Sequence, residues 1–376
     1  MIETETDTLI IGASIAGLAT AACLQKKKNP FIILEKEIKV AAPWHRHYDR
    51  LHLHTPRSLS NLPYKKFAKE ITTYPSRLEV VDYLLNYQKT FSINPIFNNE
   101  VISIRRENGF WIVETSEDTY KSKNVVVATG AYTFPKKILI EGMETFPGKI
   151  IHSSEYKTGK EFKGKKVLVI GFGNSACEIA LDLYEQEATP SMSLRSPVNI
   201  IPRDIFGIPV LRISWLMQKL SPGLADKLNA PLIKYFIGDL NKLGIEKKKK
   251  GPLQEIDNNS KPPVIDIGTL KEIKKGNIKL YGEIIKIEGN TVFFKNGSQQ
   301  FDVIIAAIGY DRNDGILKIE QQRFDDLKFP VSRQKYFGKD GLYFCGFYIS
   351  PLGQIHEIAS DAKKIAHDLQ MRRKSK

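Results

Sequence analysis

The sequence predicts an α/β protein containing two separate strand–glycine turn–helix units. Three observations predict it. The run Thr8-Leu9-Ile10-Ile11 leads into Gly12-Ala13-Ser14-Ile15-Ala16-Gly17 and an alanine-rich stretch ending at Leu24. The same pattern returns as Lys166-Val167-Leu168-Val169-Ile170, then Gly171-Phe172-Gly173-Asn174-Ser175-Ala176 and a helical stretch to Leu183. A length of 376 residues suits two domains better than one.

The first unit continues into a second strand, Phe31-Ile32-Ile33-Leu34, ending at Glu35. Further strands are expected at Trp111–Thr115, Val125–Thr129, Thr291–Lys295 and Val303–Ile308, where β-branched and aromatic residues cluster. Apolar spacing predicts helices at Glu79–Thr90 and Gln354–Met371. Proline and glycine punctuate Phe134–Gly148 and Gly251–Pro263, which read as connections. Ile205–Gly244 is apolar with helical spacing and is broken at Pro209, Pro222 and Pro231. It reads equally as a cover or surface contact and as ordinary packing. The run Lys247–Lys250 reads as a solvated loop.

Composition narrows the classes without choosing a function. The chain carries 56 lysines and arginines against 42 acids, a formal charge of +14 that suits anionic ligands, nucleic acid or an anionic membrane. Cys23, Cys177 and Cys345 lie far apart, which argues against a disulfide framework and for a reducing compartment. The acidic N-terminus runs straight into a strand, so no secretory leader is expected. No stretch approaches the roughly 18 apolar residues of a membrane span. A cytoplasmic protein is the expectation, and no metal site is expected.

In a dinucleotide fold, a strand ends in a turn of small residues that lets the backbone approach a pyrophosphate. The next helix then aims its N-terminal N–H groups at that charge. Gly12, Ser14 and Gly17 occupy the three fingerprint positions, with serine in place of the middle glycine. Glu35 stands 23 positions after Gly12, where a carboxylate accepts hydrogen bonds from ribose hydroxyls. Gly171, Gly173 and Ala176 match the variant of the fingerprint ending in alanine. The strand after that unit leads to Arg195, a base where the first unit has an acid. An arginine binds a 2′-phosphate that a carboxylate repels, so NADPH is expected over NADH. Arg203 is a weaker second candidate.

Between the two units lies Phe146-Pro147-Gly148-Lys149-Ile150-Ile151-His152-Ser153-Ser154-Glu155-Tyr156. It fits F-x-G-x-x-x-H-x-x-x-Y, the signature of class B flavin-containing monooxygenases. Tyr48–Arg57, Gly171–Ser175, Pro202–Gly207 and Pro263–Gly268 resemble the YUCCA branch of that family. Ala307-Ile308-Gly309-Tyr310 resembles the family's A-T-G-Y segment, with Ile308 for threonine. The resemblance runs from about Thr8 to His367.

The resemblance implies two Rossmann-like domains, the NADPH domain inserted in the FAD domain, with boundaries 1–157, 158–298 and 299–376. It implies an enzyme in which NADPH reduces FAD and a flavin C4a-hydroperoxide passes one oxygen atom from O2 to a small organic substrate. Amine or sulfide oxygenation and oxidative decarboxylation of a 2-oxo acid such as indole-3-pyruvate all belong to the family. Gly12, Ser14, Gly17, Glu35, Trp44 and Thr129 are implied to hold FAD, together with Leu352 and Gly353 at the N-terminus of the last helix. Gly171, Gly173, Asn174, Ser175, Ala176 and Arg195 are implied to hold NADPH. His54 falls where relatives place a group that supports oxygen transfer. His152 is grouped with it as catalytic, a hydrogen-bonded hinge being its other reading.

Three rivals remain to be weighed. A disulfide reductase needs a C-x-x-C-type pair, which is absent. An NADPH oxidase making hydrogen peroxide differs only in coupling. A non-catalytic nucleotide-binding protein has no use for two cradles and the linking signature. A small-molecule substrate and O2 are the expected partners, not nucleic acid. Peripheral membrane contact is the disfavoured alternative, and the oligomeric state is not set by sequence.

Overall fold

Each apolar run described above is too short for a core helix and is rich in Val and Ile, so it finds its hydrogen bonds in a sheet. The computed structural model describes residues 3–130, 134–217, 219–259, 262–311 and 337–374. In chain order these form β1 (Glu3–Ile11), α1 (Ile15–Lys26), β2 (Ile32–Leu34), α2 (Ala42–Arg46), α3 (Arg77–Thr90), β3 (Val101–Glu107), β4 (Phe110–Thr115) and β5 (Thr119–Val127). Next come β6 (Phe134–Pro135), β7 (Lys149–His152), β8 (Lys166–Ile170), α4 (Asn174–Glu185), β9 (Thr189–Ser193), β10 (Ile200–Pro202), β11 (Asp204–Ile205) and β12 (Ile208–Pro209). Then follow α5 (Val210–Leu216), α6 (Pro222–Ile237), α7 (Pro252–Asn259), β13 (Val264–Asp266), α8 (Thr269–Lys274) and β14 (Lys279–Tyr281). The chain closes with β15 (Ile284–Glu288), β16 (Thr291–Phe294), β17 (Gly297–Gln300), β18 (Val303–Ala306), β19 (Tyr310–Asp311), β20 (Leu342–Phe344) and α9 (Gln354–Lys374).

The first compact unit comprises Met1–Arg46, Thr55–Phe134 and Asp311–Lys376. Its sheet has the order β2-β1-β5-β4-β3. β1 is parallel to β2 and β5, with Ile11 opposite Leu34 and Val127. β20 is parallel to the C-terminal half of β5, so the end of the chain completes the sheet begun by its start. Every residue of α1 from Ile15 to Leu24 is buried. An all-apolar helix of this kind needs cover on both sides, and α1 has β1 on one side and α9 on another. α3 begins two residues earlier than Glu79, because Ser76 and Glu79 form a capping box.

The second unit comprises His47–His54 and Pro135–Tyr310. Its sheet is wholly parallel in the order β14-β9-β8-β18-β7. Val169 lies opposite both Met192 and Ile305. β18 is buried along its whole length, as a central parallel strand should be. An antiparallel meander, β15-β16-β17, and a parallel pair, β10-β13, complete the unit with the β11-β12 hairpin.

Three expectations change. The sequence set the domain junctions at 157/158 and 298/299, whereas the compact units part at 46/47, 54/55, 134/135 and 310/311. The reason is pairing: β7 and β18 lie side by side, Ile151 opposite Ile305, so both belong to the second sheet. Gly251–Pro263 is not a plain connection, since it contains α7, although residues 260–261 lie outside the described residues. Its start is stabilised from afar: the Asp226 carboxylate of α6 accepts from Leu253 N (3.0 Å) and Gln254 N (3.0 Å). Finally, Pro231 does not break its segment, because α6 runs through it. The Lys227 carbonyl that loses its donor belongs to an exposed residue, where water can replace the missing bond.

Candidate active site

The first cradle follows β1. Gly12 has φ +98°, and a Cβ there would lie 3.0 Å from the Ala128 carbonyl oxygen. A Cβ on Gly17 would lie 1.8 Å from the Gly12 carbonyl oxygen, so α1 leaves the turn at a distance only hydrogen tolerates. Ser14 is the N-cap of α1 and its side chain makes no capping bond. Glu35, 9% exposed at the end of β2, accepts from Ala13 N (2.6 Å) and Glu37 N (3.1 Å). The carboxylate thus fixes the turn's own backbone and keeps further lone pairs for hydroxyl donors.

The other members of this set join the same unit. Thr129 follows β5, its Cα 3.6 Å from the position of a Cβ on Gly12. Trp44 lies in α2, whose start is tied to the cradle by Ala41 N donating to Ala13 O (3.3 Å). Leu352 is buried, and Gly353 has φ +96° directly before α9. Gly346, just upstream, packs so that a Cβ would meet Ala16 at 3.1 Å.

The second cradle follows β8. Gly171 has φ +118°, and a Cβ there would come within 2.5 Å of the Ala307 carbonyl oxygen. Gly173 is different: its φ is −92°, and no protein atom lies within 4 Å of the Cβ position. The protein's own packing does not require glycine here, whereas a pyrophosphate laid against the backbone would. Ala176, fully buried, holds the third position. Ser175 is exposed and hydrogen-bonds Tyr48. Asn174 spends its side chain within the protein. Its amide oxygen accepts from Ile265 N (2.7 Å) and its nitrogen donates to Pro263 O (3.2 Å), so the side chain brackets the 263–265 backbone.

Arg195 is exposed two residues beyond β9 and forms no ion pair among the described residues. Nearby Glu283 is already paired with Lys295 (2.6 Å). The Lys295 hydrogen bond first, and Arg195 in a lesser part, hold that carboxyl below its usual range. Arg203, the second candidate, is committed to Asp204 (3.2 Å).

α4 carries two buried acids one turn apart, Glu178 and Asp182, 2% and 5% exposed. Each receives a phenol. The Tyr48 hydroxyl donates to Glu178, and Tyr156 donates to Asp182 (2.5 Å), which also accepts from Gly159 N (2.8 Å). Burial, reinforced by the adjoining carboxylate, pushes both phenols well above their ordinary pKa. His54 places Nε2 3.6 Å from Glu178 Oε2. Arg50 grips Glu185 through two bonds of 2.9 and 2.8 Å. The segment His47–His54 is therefore strapped along α4, although its neighbours in sequence belong to the other unit. Glu178 and Asp182 escaped the sequence reading; the available signal was two acids at i, i+4 inside an otherwise apolar helix.

His152 is 9% exposed and has both ring nitrogens engaged. Nδ1 accepts from Ser154 N (3.1 Å), and Nε2 lies 3.0 Å from the Gly309 carbonyl, to which it must donate. With both ring nitrogens engaged inside the chain, the geometry favours the hydrogen-bonded hinge reading over a direct part in the chemistry. The signature histidine instead ties β7 to the Ala307–Tyr310 segment, and its ring meets Tyr310 edge-on at 5.1 Å.

Known proteins match this arrangement. The family model described as pyridine nucleotide-disulphide oxidoreductase matches residues 9–201. All three cysteines here are free and buried, so the redox pair of a disulfide reductase is absent. The probable indole-3-pyruvate monooxygenase YUCCA3 of Arabidopsis thaliana is 37% identical, over 96% of this chain and 86% of that protein. The indole-3-pyruvate monooxygenase YUCCA6 of the same plant is 36% identical, over 97% and 90%. A solved structure of oxidised steroid monooxygenase bound to NADP shares the fold, with a TM-score of 0.76 at 16% identity, covering 99% of this chain and 86% of that one. With one third of its residues shared along nearly its whole length, the chain belongs to the YUCCA family of flavin monooxygenases and is an FAD- and NADPH-dependent oxidoreductase.

Proposed function

We propose that the first unit holds FAD, that the second, inserted in it, holds NADPH, and that the substrate is a 2-oxo acid of the indole-3-pyruvate class. The substrate reading is carried by one observation: relatives named for that substrate are 36–37% identical over 96–97% of the chain. The stoichiometry is one 2-oxo acid, one O2, one NADPH and one proton giving the carboxylic acid one carbon shorter, carbon dioxide, NADP+ and water. FAD, once reduced, supplies the activation of dioxygen.

The residues fit both nucleotides. Gly12, Ser14 and Gly17 would receive the FAD pyrophosphate on the α1 N-terminus, with Glu35 accepting from ribose hydroxyls. Thr129, Trp44, Leu352 and Gly353 would complete that bed. Gly171, Gly173, Ser175 and Ala176 would receive the NADPH pyrophosphate, with Arg195 on the 2′-phosphate. Gly173 supports this reading, since no packing among the described residues requires glycine there and a pyrophosphate against the backbone would.

His54 is assigned the support of coupling, its imidazole held in place by Glu178. His54→Ala is expected to leave NADPH consumption in place, to lower the product formed per NADPH and to raise hydrogen peroxide; an unchanged ratio would remove that role. The substrate class is tested by following NADPH, carbon dioxide and product with 2-oxo acids, amines and sulfides in turn. One carbon dioxide per NADPH with an arylpyruvate supports the proposal. Oxygenated amine or sulfide without decarboxylation overturns it.

A further inference from the structure

Nineteen large apolar side chains are exposed among the described residues, and eight of them fall between Phe206 and Tyr235. This concentration has no counterpart elsewhere in the described chain. On α6, Leu224, Leu228 and Tyr235 are 47%, 57% and 76% exposed. With the exposed Pro231 they stand at i, i+4, i+7 and i+11, inside an arc of about 60° on the helix. Lys227 and Lys234 are exposed along one flank of that stripe and form no ion pair among the described residues. The hairpin tip Phe206, 74% exposed at φ +50°, is held against Phe236 of α6 (5.0 Å between rings). α5 adds Trp215 and Leu216, 54% and 73% exposed.

The charge around this face is mostly basic. From Arg203 to Lys250 the chain holds ten lysines and arginines against four acids. Three of the four acids are occupied. Asp226 caps α7, Asp204 pairs with Arg203, and Asp239 accepts from Asn241 N (3.1 Å). An apolar stripe with a basic flank is the pattern of a helix lying in the plane of a bilayer surface. No helix among the described residues is long and apolar enough to cross a membrane, so the contact is a surface one. A second copy would bring two basic faces together, which their charge opposes. Nucleic acid would meet the lysines but leave the leucines without a use.

We infer that this face of the second unit docks on the surface of an anionic phospholipid bilayer, with the α6 stripe at the acyl boundary and the lysines among the headgroups. The inference is independent of the substrate reading, because vesicle binding requires no turnover.

The test uses the full-length, flavin-loaded protein with vesicles of phosphatidylcholine alone and of phosphatidylcholine with phosphatidylglycerol. Co-sedimentation is expected with the anionic vesicles, about tenfold or more above the neutral ones, and is expected to weaken with salt. Combining Leu224→Ser, Leu228→Ser and Tyr235→Ser is expected to lower that binding about tenfold or more, with NADPH oxidation unchanged. Lys227→Gln with Lys234→Gln is expected to erase the preference for anionic vesicles. A blue shift of tryptophan emission on vesicle addition should vanish in Trp215→Phe. Absence of binding, or binding untouched by the triple substitution, overturns the inference. A triple variant that changes the sedimentation coefficient without vesicles points to self-association. One that raises the substrate KM points to a substrate cover. Either outcome also overturns it.

Discussion

The two cradles share a plan and differ where it is informative. Both first glycines, Gly12 and Gly171, have positive φ and face a strand-end carbonyl, at 3.0 Å and 2.5 Å from the position a Cβ would take. That position is dictated by the fold. At the third position α1 has Gly17, which nearly touches Gly12, whereas α4 has Ala176 and leaves the turn with room for a methyl group. At the end of the following strand the first unit offers Glu35 and the second Arg195. The comparison separates residues required by backbone geometry from residues whose type the backbone does not dictate. α1 buries no acid or base along Ile15–Leu24, while α4 buries two acids that α1 has no counterpart for. The difference follows from what crosses each helix: α4 alone receives the strap His47–His54 and the signature tyrosine.

The sharpest break of this comparison is to exchange the third positions. Gly17→Ala places a methyl 1.8 Å from a backbone oxygen and is expected to cost about 4 kcal/mol or more, yielding protein without flavin absorbance or none in the soluble fraction. Ala176→Gly is expected to cost about 1–2 kcal/mol, the helix-propensity difference plus one buried methyl group, and to retain NADPH turnover.

Next in size is the nucleotide end of the second cradle. Arg195→Ala is expected to raise the KM for NADPH about 10- to 100-fold and that for NADH hardly at all. Equal changes would refute the 2′-phosphate assignment.

Tyr156→Phe leaves Asp182 buried with only the Gly159 N–H, and is expected to cost about 1–3 kcal/mol, read as a melting temperature lower by several degrees. Tyr48→Phe should behave alike for Glu178. If neither moves the melting temperature, the buried acids on α4 do not distinguish it from α1 energetically.

The smallest effect concerns the thiols, Cys23 on α1 and Cys177 on α4. Burial raises Cys23 to about 11 and pushes Cys177 well above the ordinary thiol value. A raised thiol favours the protonated folded state, so its contribution is complete below about pH 9, the unfolded value, and is lost as pH climbs towards the folded one. Stability should therefore decline above about pH 9, less steeply in Cys23→Ala. At neutral pH neither thiol should react with a disulfide reagent in the native protein, and rapid labelling would contradict the burial.

Legibility from sequence tracks locality. The strands β1, β2 and β8, the glycines at 12, 17 and 171, and α9 were readable, because each depends on a few neighbouring residues. α7 was not, since its start is stabilised by Asp226 from another helix. The continuity of α6 through Pro231 was not, since it depends on the exposure of Lys227. Asn174 sits inside the phosphate-binding motif yet turns its amide to a strand ninety residues away. His152 was recognised as part of a signature, but its role was fixed by a carbonyl 157 positions later.

By itself the sequence determined that two strand–turn–helix cradles exist, that a base replaces an acid in the second, and that no cysteine pair can run redox chemistry. These are short-range facts, set by residue size, backbone freedom and charge at fixed spacing. Tertiary structure alone decided that β18 lies beside β7, that the strap of residues 47–54 runs along α4, and which apolar residues of 206–235 remain uncovered. Those depend on hydrogen bonds and burial between segments far apart in the chain, whose partners no local pattern names.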